Sequence, residues 1–299
     1  MKHISVLLNE SVNALNIDPG GIYVDATLGG GGHSLEILKQ LSNGHLYAFD
    51  QDDFAIKKAT ERLKDYPNKT LIKANFSEMK VELEKLGIHK VDGILFDLGL
   101  SSFQIDDETR GFSYLKDHEL DMRMNKDATL TAKVIVNTYD RQQLADIFRA
   151  YGDEQNAWKI AGMIIDRRPI ETTLELVEIT DIANKGIKGH SAKRVFQALR
   201  IEVNKELEVL EKALNNALSI LNPGGRLSVI TFQSLEDKMV KQFFKTNSEI
   251  NLPRNVDIRN LPKTPLKMIT RKPIIPSELE LKDNSRSHSA KLRVAEKQV

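Results

Sequence analysis

Between Ile22 and Leu98, short apolar runs alternate with segments in which apolar residues return every three or four positions. Ile22–Leu28, Leu46–Asp50, Thr70–Ala74 and Val91–Leu98 read as strands. They lack strict apolar–polar alternation, which suits strands covered on both faces. His33–Leu41, Asp53–Lys64 and Ser77–Leu86 read as the helices between them. Repeated strand–helix units with short turns predict a parallel, doubly wound α/β sheet.

The rhythm stops near Asp106. Leu130–Asn137, Arg141–Tyr151, Glu154–Arg167 and Thr173–Asn184 carry helical periodicity, and Trp158 falls in the pattern as a core residue. Val195–Leu221 reads as one long helix, its apolar stripe running from Leu199 to Leu221 at spacings of three and four. Pro223-Gly224-Gly225 stops that helix, and strand signals return at Asn222–Phe232. A helix at Leu235–Lys245 follows, and Leu266–Lys272 and Ser289–Glu296 can pair as closing strands. The expected architecture is one discontinuous α/β domain, residues 1–105 and 216–299, interrupted by an all-helical insertion, residues 106–215.

Composition narrows the chemistry. The chain has no Cys, which excludes a disulfide framework, a thiolate nucleophile and a Cys-based metal site. No apolar run is long enough to span a bilayer, and Met1–Ser11 lacks a signal-peptide pattern, so a soluble cytoplasmic protein is expected. No His/Asp/Glu grouping has metal-ligand spacing, so no metal is expected. The net charge of +1 is a cancellation. Lys185–Lys205 holds six basic residues against Glu202 alone, with Gly186, Gly189 and His190 among them, and residues 251–299 hold eleven basic against five acidic. Asp97–Asp127 holds eight acidic against four basic. The two basic stretches suit a polyanion such as RNA or DNA, or simply a solvated surface.

Three acidic residues fall at or near strand ends. Asp25 precedes a glycine-rich turn, Gly29-Gly30-Gly31-Gly32-His33, that lets a ligand approach the backbone. Asp50 ends the second strand, where a carboxylate can accept hydrogen bonds from ribose hydroxyls. Asp97 ends the fourth. In an open α/β sheet, ligands bind beyond these carboxyl ends. The pattern indicates a nucleoside-containing cofactor and does not separate NAD from S-adenosylmethionine. Phe232 and Gln233 are placed to line the cleft, while Ser234 and Asp237 read as a helix N-cap with an acidic third residue.

Further residues carry a resemblance. His3 with Val6-Leu7-Leu8-Asn9-Glu10, DATLGGGGHS from Asp25, and DLGLSSFQIDD from Asp97 occur in order. Arg110-Gly111-Phe112-Ser113, Leu120-Asp121-Met122-Arg123-Met124, Arg194–Ile201, NPGGRLSVITFQSLED from Asn222, and Ser289–Arg293 follow. The chain resembles, nearly end to end, the bacterial ribosomal small-subunit RNA methyltransferase H family, also called MraW. The resemblance implies a Rossmann-like class I methyltransferase sheet of seven mostly parallel strands. It implies methyl transfer from S-adenosylmethionine to N4 of a cytidine in the decoding region of 16S ribosomal RNA, within the small subunit. By motif match, Gly31, Gly32, His33, Asp50, Phe76, Asp97 and Gln104 would contact the cofactor. Gln233 and His288 depart from the family pattern, which often has His and Arg there.

Within that reading Asp97 is the expected acceptor of an amine hydrogen, or else a cofactor contact. Phe103, Phe112 or Phe232 could stack on a splayed base. Lys193, Arg194 and Arg200 of the insertion, and Arg286, Lys291 and Arg293 of the tail, are the candidates for gripping RNA phosphates. The sequence leaves monomer and homodimer open. A NAD-dependent oxidoreductase and a non-catalytic ribosome-assembly factor are the rival readings.

Overall fold

A computed structural model of the protein describes residues 5–99, 108–249 and 263–299. The chain divides into two compact units, one made of residues 1–99 and 208–299, the other of residues 100–207.

The first unit is built on a seven-stranded sheet. Its strands are β1 (Ile22–Asp25), β2 (His45–Asp50), β3 (Lys69–Lys73), β4 (Val91–Asp97), β5 (Leu221–Thr231), β6 (Leu266–Met268) and β7 (Lys291–Lys297). They run in the order β3-β2-β1-β4-β5-β7-β6. Pairings up to β4–β5 are parallel, and β7 lies antiparallel to both β5 and β6. The mostly parallel α/β sheet expected from the sequence is thus present, and the two late segments pair with one another. Strand order reverses between β1 and β4, so the carboxyl ends of β1, β2 and β4 border the switch point where α/β sheets bind ligands.

Side chains on successive strand residues enter opposite cores. On one face Tyr23, Leu46, Ala48 and Leu95 pack with α1 (Leu8–Ala14), α2 (Gly32–Leu38) and α3 (Asp53–Arg62). On the other, Val24, Phe49, Ile94 and Phe96 pack with α4 (Met79–Lys85) and with two later helices. This double burial explains why the strands read as continuous apolar runs.

The second unit contains α5 (Ala132–Thr138), α6 (Arg141–Gly152), α7 (Ala157–Asp166), α8 (Thr173–Ala183) and α9 (Lys193–Asn204). Asp140 and Thr172 open α6 and α8 with complete capping boxes. One core joins these helices, centred on Phe148, Ile160, Ile164, Leu176 and Leu199. Trp158, expected in the core, is 44% exposed. It follows Ala157 by one residue and therefore points about 100° off the stripe formed by Ala157, Ile160, Ala161 and Ile164. The Arg141 guanidinium covers one face of its ring, 4.3 Å from the centroid.

The long helix expected over Val195–Leu221 is two helices. α9 ends at Asn204, Lys205 turns left-handed at φ 50°, and α10 (Glu206–Ile220) begins afresh. The Asn204 amide is taken up at the break: it donates to the carbonyls of Met122 and Arg200 and accepts from Met124 N–H. No Gly or Pro marks the break, and the apolar stripe resumes in α10, whose Leu210, Ala213, Leu214 and Ala217 cover the sheet. β5 then starts directly at Leu221 and carries its irregularity at Gly224, where φ is +85°. α11 (Ser234–Ser248) completes that face through Val240 and Phe244, and a short α12 (Glu278–Asp283) precedes β7.

Candidate active site

The turn between β1 and α2 is held in a conformation that needs glycine. Gly29 and Gly31 have φ of +48° and +73°. At Gly32 the reason is space: a Cβ there would stand 1.9 Å from Ser5 Oγ. The N-terminal segment thus closes one side of the turn, and Arg62 closes another by donating to the Gly30 carbonyl. At Gly29 a Cβ would meet, among the described residues, only the Thr27 carbonyl, at 3.9 Å. That side is an open cradle where a ligand can reach the backbone.

Three carboxyls sit around this cradle. Asp25 is fully buried; Ser34 Oγ donates to its Oδ2 at 2.6 Å and Thr27 N–H to its Oδ1 at 3.1 Å. Burial pushes its pKa up to about 6, against those hydrogen bonds. Asp50 accepts from Gly29 N–H on one oxygen and Asp52 N–H on the other, both at 2.9 Å. Burial likewise raises it to about 6. Each Asp50 oxygen keeps a second lone pair, so the carboxyl can accept from two hydroxyls of a ribose.

Asp97 is anchored through its backbone, whose N–H donates to Thr27 Oγ1 at 2.6 Å. Its Oδ2 faces His33 Nδ1 at 3.6 Å. The other nitrogen of the buried His33 ring lies 3.1 Å from the Val6 carbonyl, which can only accept, so Nε2 carries a hydrogen. Burial raises the Asp97 carboxyl to about 6; His33 pulls it down, and Asp25 and Glu236 push it up. Phe76, in the one-turn helix Phe76–Glu78 after β3, is half-buried edge-to-face against Phe96, with centroids 5.8 Å apart. An apolar ring is thereby fixed beside the strand ends.

Among the described residues, buried Asp97 Oδ1 has no hydrogen-bond partner, and buried Gln233 Oε1, whose side chain turns towards the Glu236 N–H as a cap of α11, meets no donor at hydrogen-bond geometry. They stand beyond the carboxyl ends of paired strands. Asp97 is opposite Ile230, Leu98 N–H extends the pairing to the Ile230 carbonyl, and Gln233 follows three residues later. A Cβ on Gly99 would lie 3.5 Å from the Phe232 ring, which ties the two loops together. Buried polar atoms are nearly always satisfied, so two acceptors left open in one region mark a place for donors from a ligand.

The start of α11 differs from expectation by one residue. Gln233, not Ser234, is the N-cap residue, and Glu236 takes the third position. Glu236 Oε2 accepts from Phe232 and Gln233 N–H. Asp237 is spent elsewhere, on Arg293 Nε at 2.6 Å and Lys291 Nζ at 3.2 Å.

The structure therefore brings Gly31, Gly32, His33, Asp50, Phe76 and Asp97 to one end of the sheet, together with Phe232. Gln233, expected to line the cleft, lies there as well; Ser5, Thr27, Ser34 and Glu236 are added, of which only Glu236, three residues after Gln233, carried a sequence signal. Phe103 and Gln104 lie outside the described residues. The expected phosphate contacts separate into two groups. Arg293 is corrected: it is 6% exposed and held by Asp237, which removes it from any surface. Arg200 is bound through Nε and Nη2 to both carboxylate oxygens of Glu206. Arg194 donates to the Asp153 carbonyl, and Phe112 packs against the core of its own unit. Lys193 and Arg286 are exposed, and Lys291 is 41% exposed beside Asp237.

The MraW methylase family model matches residues 1–298. The chain is 79% identical over its full length, and that of the relative, to ribosomal RNA small subunit methyltransferase H 1 of Acholeplasma laidlawii. It is 52% identical, over 99% of its length and 97% of the relative's, to ribosomal RNA small subunit methyltransferase H of Onion yellows phytoplasma. Among solved structures, an rRNA methylase from Streptococcus thermophilus aligns over 99% of both chains at a TM-score of 0.46 and 15% identity.

Proposed function

Because the chain belongs to the MraW methylase family, we propose that it transfers a methyl group from S-adenosylmethionine to the N4 amine of a cytidine in the decoding region of 16S ribosomal RNA. Curated relatives named as small-subunit rRNA methyltransferases support the substrate class. A ribosomal substrate would place the protein in the cytoplasm, and among the described residues no helix is long and apolar enough to cross a membrane.

The residues fit the cofactor. The open side of Gly29 admits it to the backbone, Asp50 has acceptors for ribose hydroxyls, and the Phe76 ring can pack on adenine. Asp97 offers a negative charge to a sulfonium. When bound, the cofactor supplies a methyl group already activated for displacement, so the chain's own task is alignment and exclusion of water.

The observation that carries the amine reading is the pair of open acceptors, Asp97 Oδ1 and Gln233 Oε1. An exocyclic amine brings two N–H donors, a ribose hydroxyl brings one, and a pyrimidine ring carbon brings none. Accepting one hydrogen draws the amine lone pair out of ring conjugation and towards the methyl group. Asp97, raised to about 6, is a stronger proton acceptor than an ordinary carboxylate and takes the proton released on N–C bond formation. Gln233 cannot take a proton; it orients the second N–H. Thr27 and His33 hold Asp97 so that Oδ1 stays free.

The test is transfer from labelled S-adenosylmethionine to small subunits that lack the modification, followed by nucleoside identification. N4-methylcytidine is expected. Label on a ribose oxygen or a ring carbon rejects the reading.

A further inference from the structure

The helices α8 and α9 are joined by Lys185-Gly186-Ile187-Lys188-Gly189-His190, six consecutive exposed residues. Gly186 and Gly189 have φ of +85° and +93°, and a Cβ on either would meet nothing within 4 Å. No packing among the described residues requires bare backbone here; the left-handed turns do. Between the glycines, Ile187 is 45% exposed and Lys188 stands beside it. Lys185, Lys188 and Lys193 make no ion pair or hydrogen bond among the described residues, and no acidic residue interrupts 185–193.

The foot of the loop is fixed. Asn184 donates to Glu154 Oε2 at 3.1 Å and to the Ser191 carbonyl at 3.0 Å, while its own Oδ1 accepts from Asn156. Ser191 is further bonded to Asp181. The His190 ring lies 4.2 Å from Tyr114, which in turn stands edge-on to Phe196. His190 Nδ1 accepts from Ala192 N–H, so the ring hydrogen sits on Nε2.

A fixed foot thus carries a tip of naked backbone with two unpaired lysines and one apolar side chain, and a third unpaired lysine, Lys193, opens α9. Two glycines three residues apart on an exposed tip between helices is the arrangement by which GXXG loops hold the backbone of about four nucleotides. We propose that the Lys185–His190 loop clamps the sugar–phosphate backbone of a single-stranded RNA segment, independent of its base sequence. The glycine backbone admits the chain closely, Lys185 and Lys188 meet phosphates, and Ile187 covers a sugar or base face. The proposal rests on the reading above that RNA is the substrate.

The experiment compares the wild-type chain with K185A/K188A and with I187D/K188D, both of which keep the glycines. Fluorescence anisotropy with a short single-stranded RNA of mixed sequence is measured across a salt series. Each lost phosphate contact lowers the slope of log K against log salt by about 0.7, so K185A/K188A should lower it by about 1.4, with at least about tenfold weaker binding. I187D/K188D should bind more weakly still. Both should raise KM for small subunits with kcat little changed, and both should keep wild-type melting temperature and S-adenosylmethionine affinity. Unchanged RNA affinity and slope in folded variants overturns the proposal. So does equal competition by duplex RNA, or a loss confined to whole subunits, which would indicate a protein contact. Wild-type protein that neither binds RNA nor methylates subunits would instead overturn the function proposed above, a result distinguishable from failure of the loop alone.

Discussion

Replacing Asp97 by asparagine keeps the shape of the side chain and removes its charge. In the ligand-free protein the carboxylate is disfavoured, first by burial and then by Asp25 and Glu236, with His33 offsetting part of this. A pKa moved from 3.8 to about 6 corresponds to about 3 kcal/mol between the protonated and ionised forms. The folded state holds this proton more tightly than the unfolded state. The contribution is therefore fully present below about pH 4 and is lost as pH rises through about 6. Asp97→Asn cannot ionise and escapes that loss. Ligand-free D97N should be more stable than wild type by up to about 3 kcal/mol above pH 7, with the gap closing towards pH 4. Asp25, which is present in both proteins, largely cancels in the difference. The assay is urea unfolding of both proteins from pH 4 to 8. The same variant should lose methyl transfer by about 100-fold or more, since Asn cannot accept the proton. A D97N protein less stable than wild type at pH 8, or a stability gap flat with pH, would show that Asp97 is not held in an environment hostile to its charge. D97N with full activity would remove Asp97 as proton acceptor.

Affinity for S-adenosylmethionine, measured by calorimetry, should fall as pH drops below about 6, because Asp50 and Asp97 take up protons there; affinity constant from pH 5 to 8 counts against both contacts. Gly32→Ala would press a methyl against Ser5 Oγ and should destabilise by about 1–3 kcal/mol, with Ser5→Gly in the same chain restoring part of the loss in thermal melts. Arg293→Ala leaves Asp237 buried with only Lys291 beside it, and denaturant unfolding should show a loss of about 3 kcal/mol. Trp158→Ala should cost less than about 1 kcal/mol, since the ring is exposed; a larger loss would mean that its contact with Arg141 is structural.

The pattern of apolar runs was sufficient for the sheet because double burial leaves an unbroken apolar strand, and sufficient for the glycine turn because positive φ restricts residue choice. The acids at strand ends were legible for the same reason: parallel strands in a doubly wound sheet all deliver their carboxyl ends to one edge. The helix break at Lys205 was not. Its residues have ordinary helix propensity, and the break is stabilised by Asn204 bonding a loop some eighty residues earlier in sequence. Trp158 adjoins the apolar stripe of Ala157, Ile160, Ala161 and Ile164 in sequence, but the 3.6-residue period turns it off that face.

The sequence by itself determined the sheet, the turn that only glycine can make, and the residues carrying the family's motifs. These follow from local backbone preference and from periodicity, which each residue shares with its near neighbours. The tertiary structure decided what the charged residues do. Arg293 and Arg200 look in sequence like the phosphate contacts that Lys185, Lys188 and Lys193 remain free to make, but buried or neighbouring carboxylates hold them. Asp25 and Asp97 look like ordinary carboxylates, and burial raises both to about 6. Whether a charge is paired, desolvated or free depends on partners distant in sequence, and only folding brings those partners within reach.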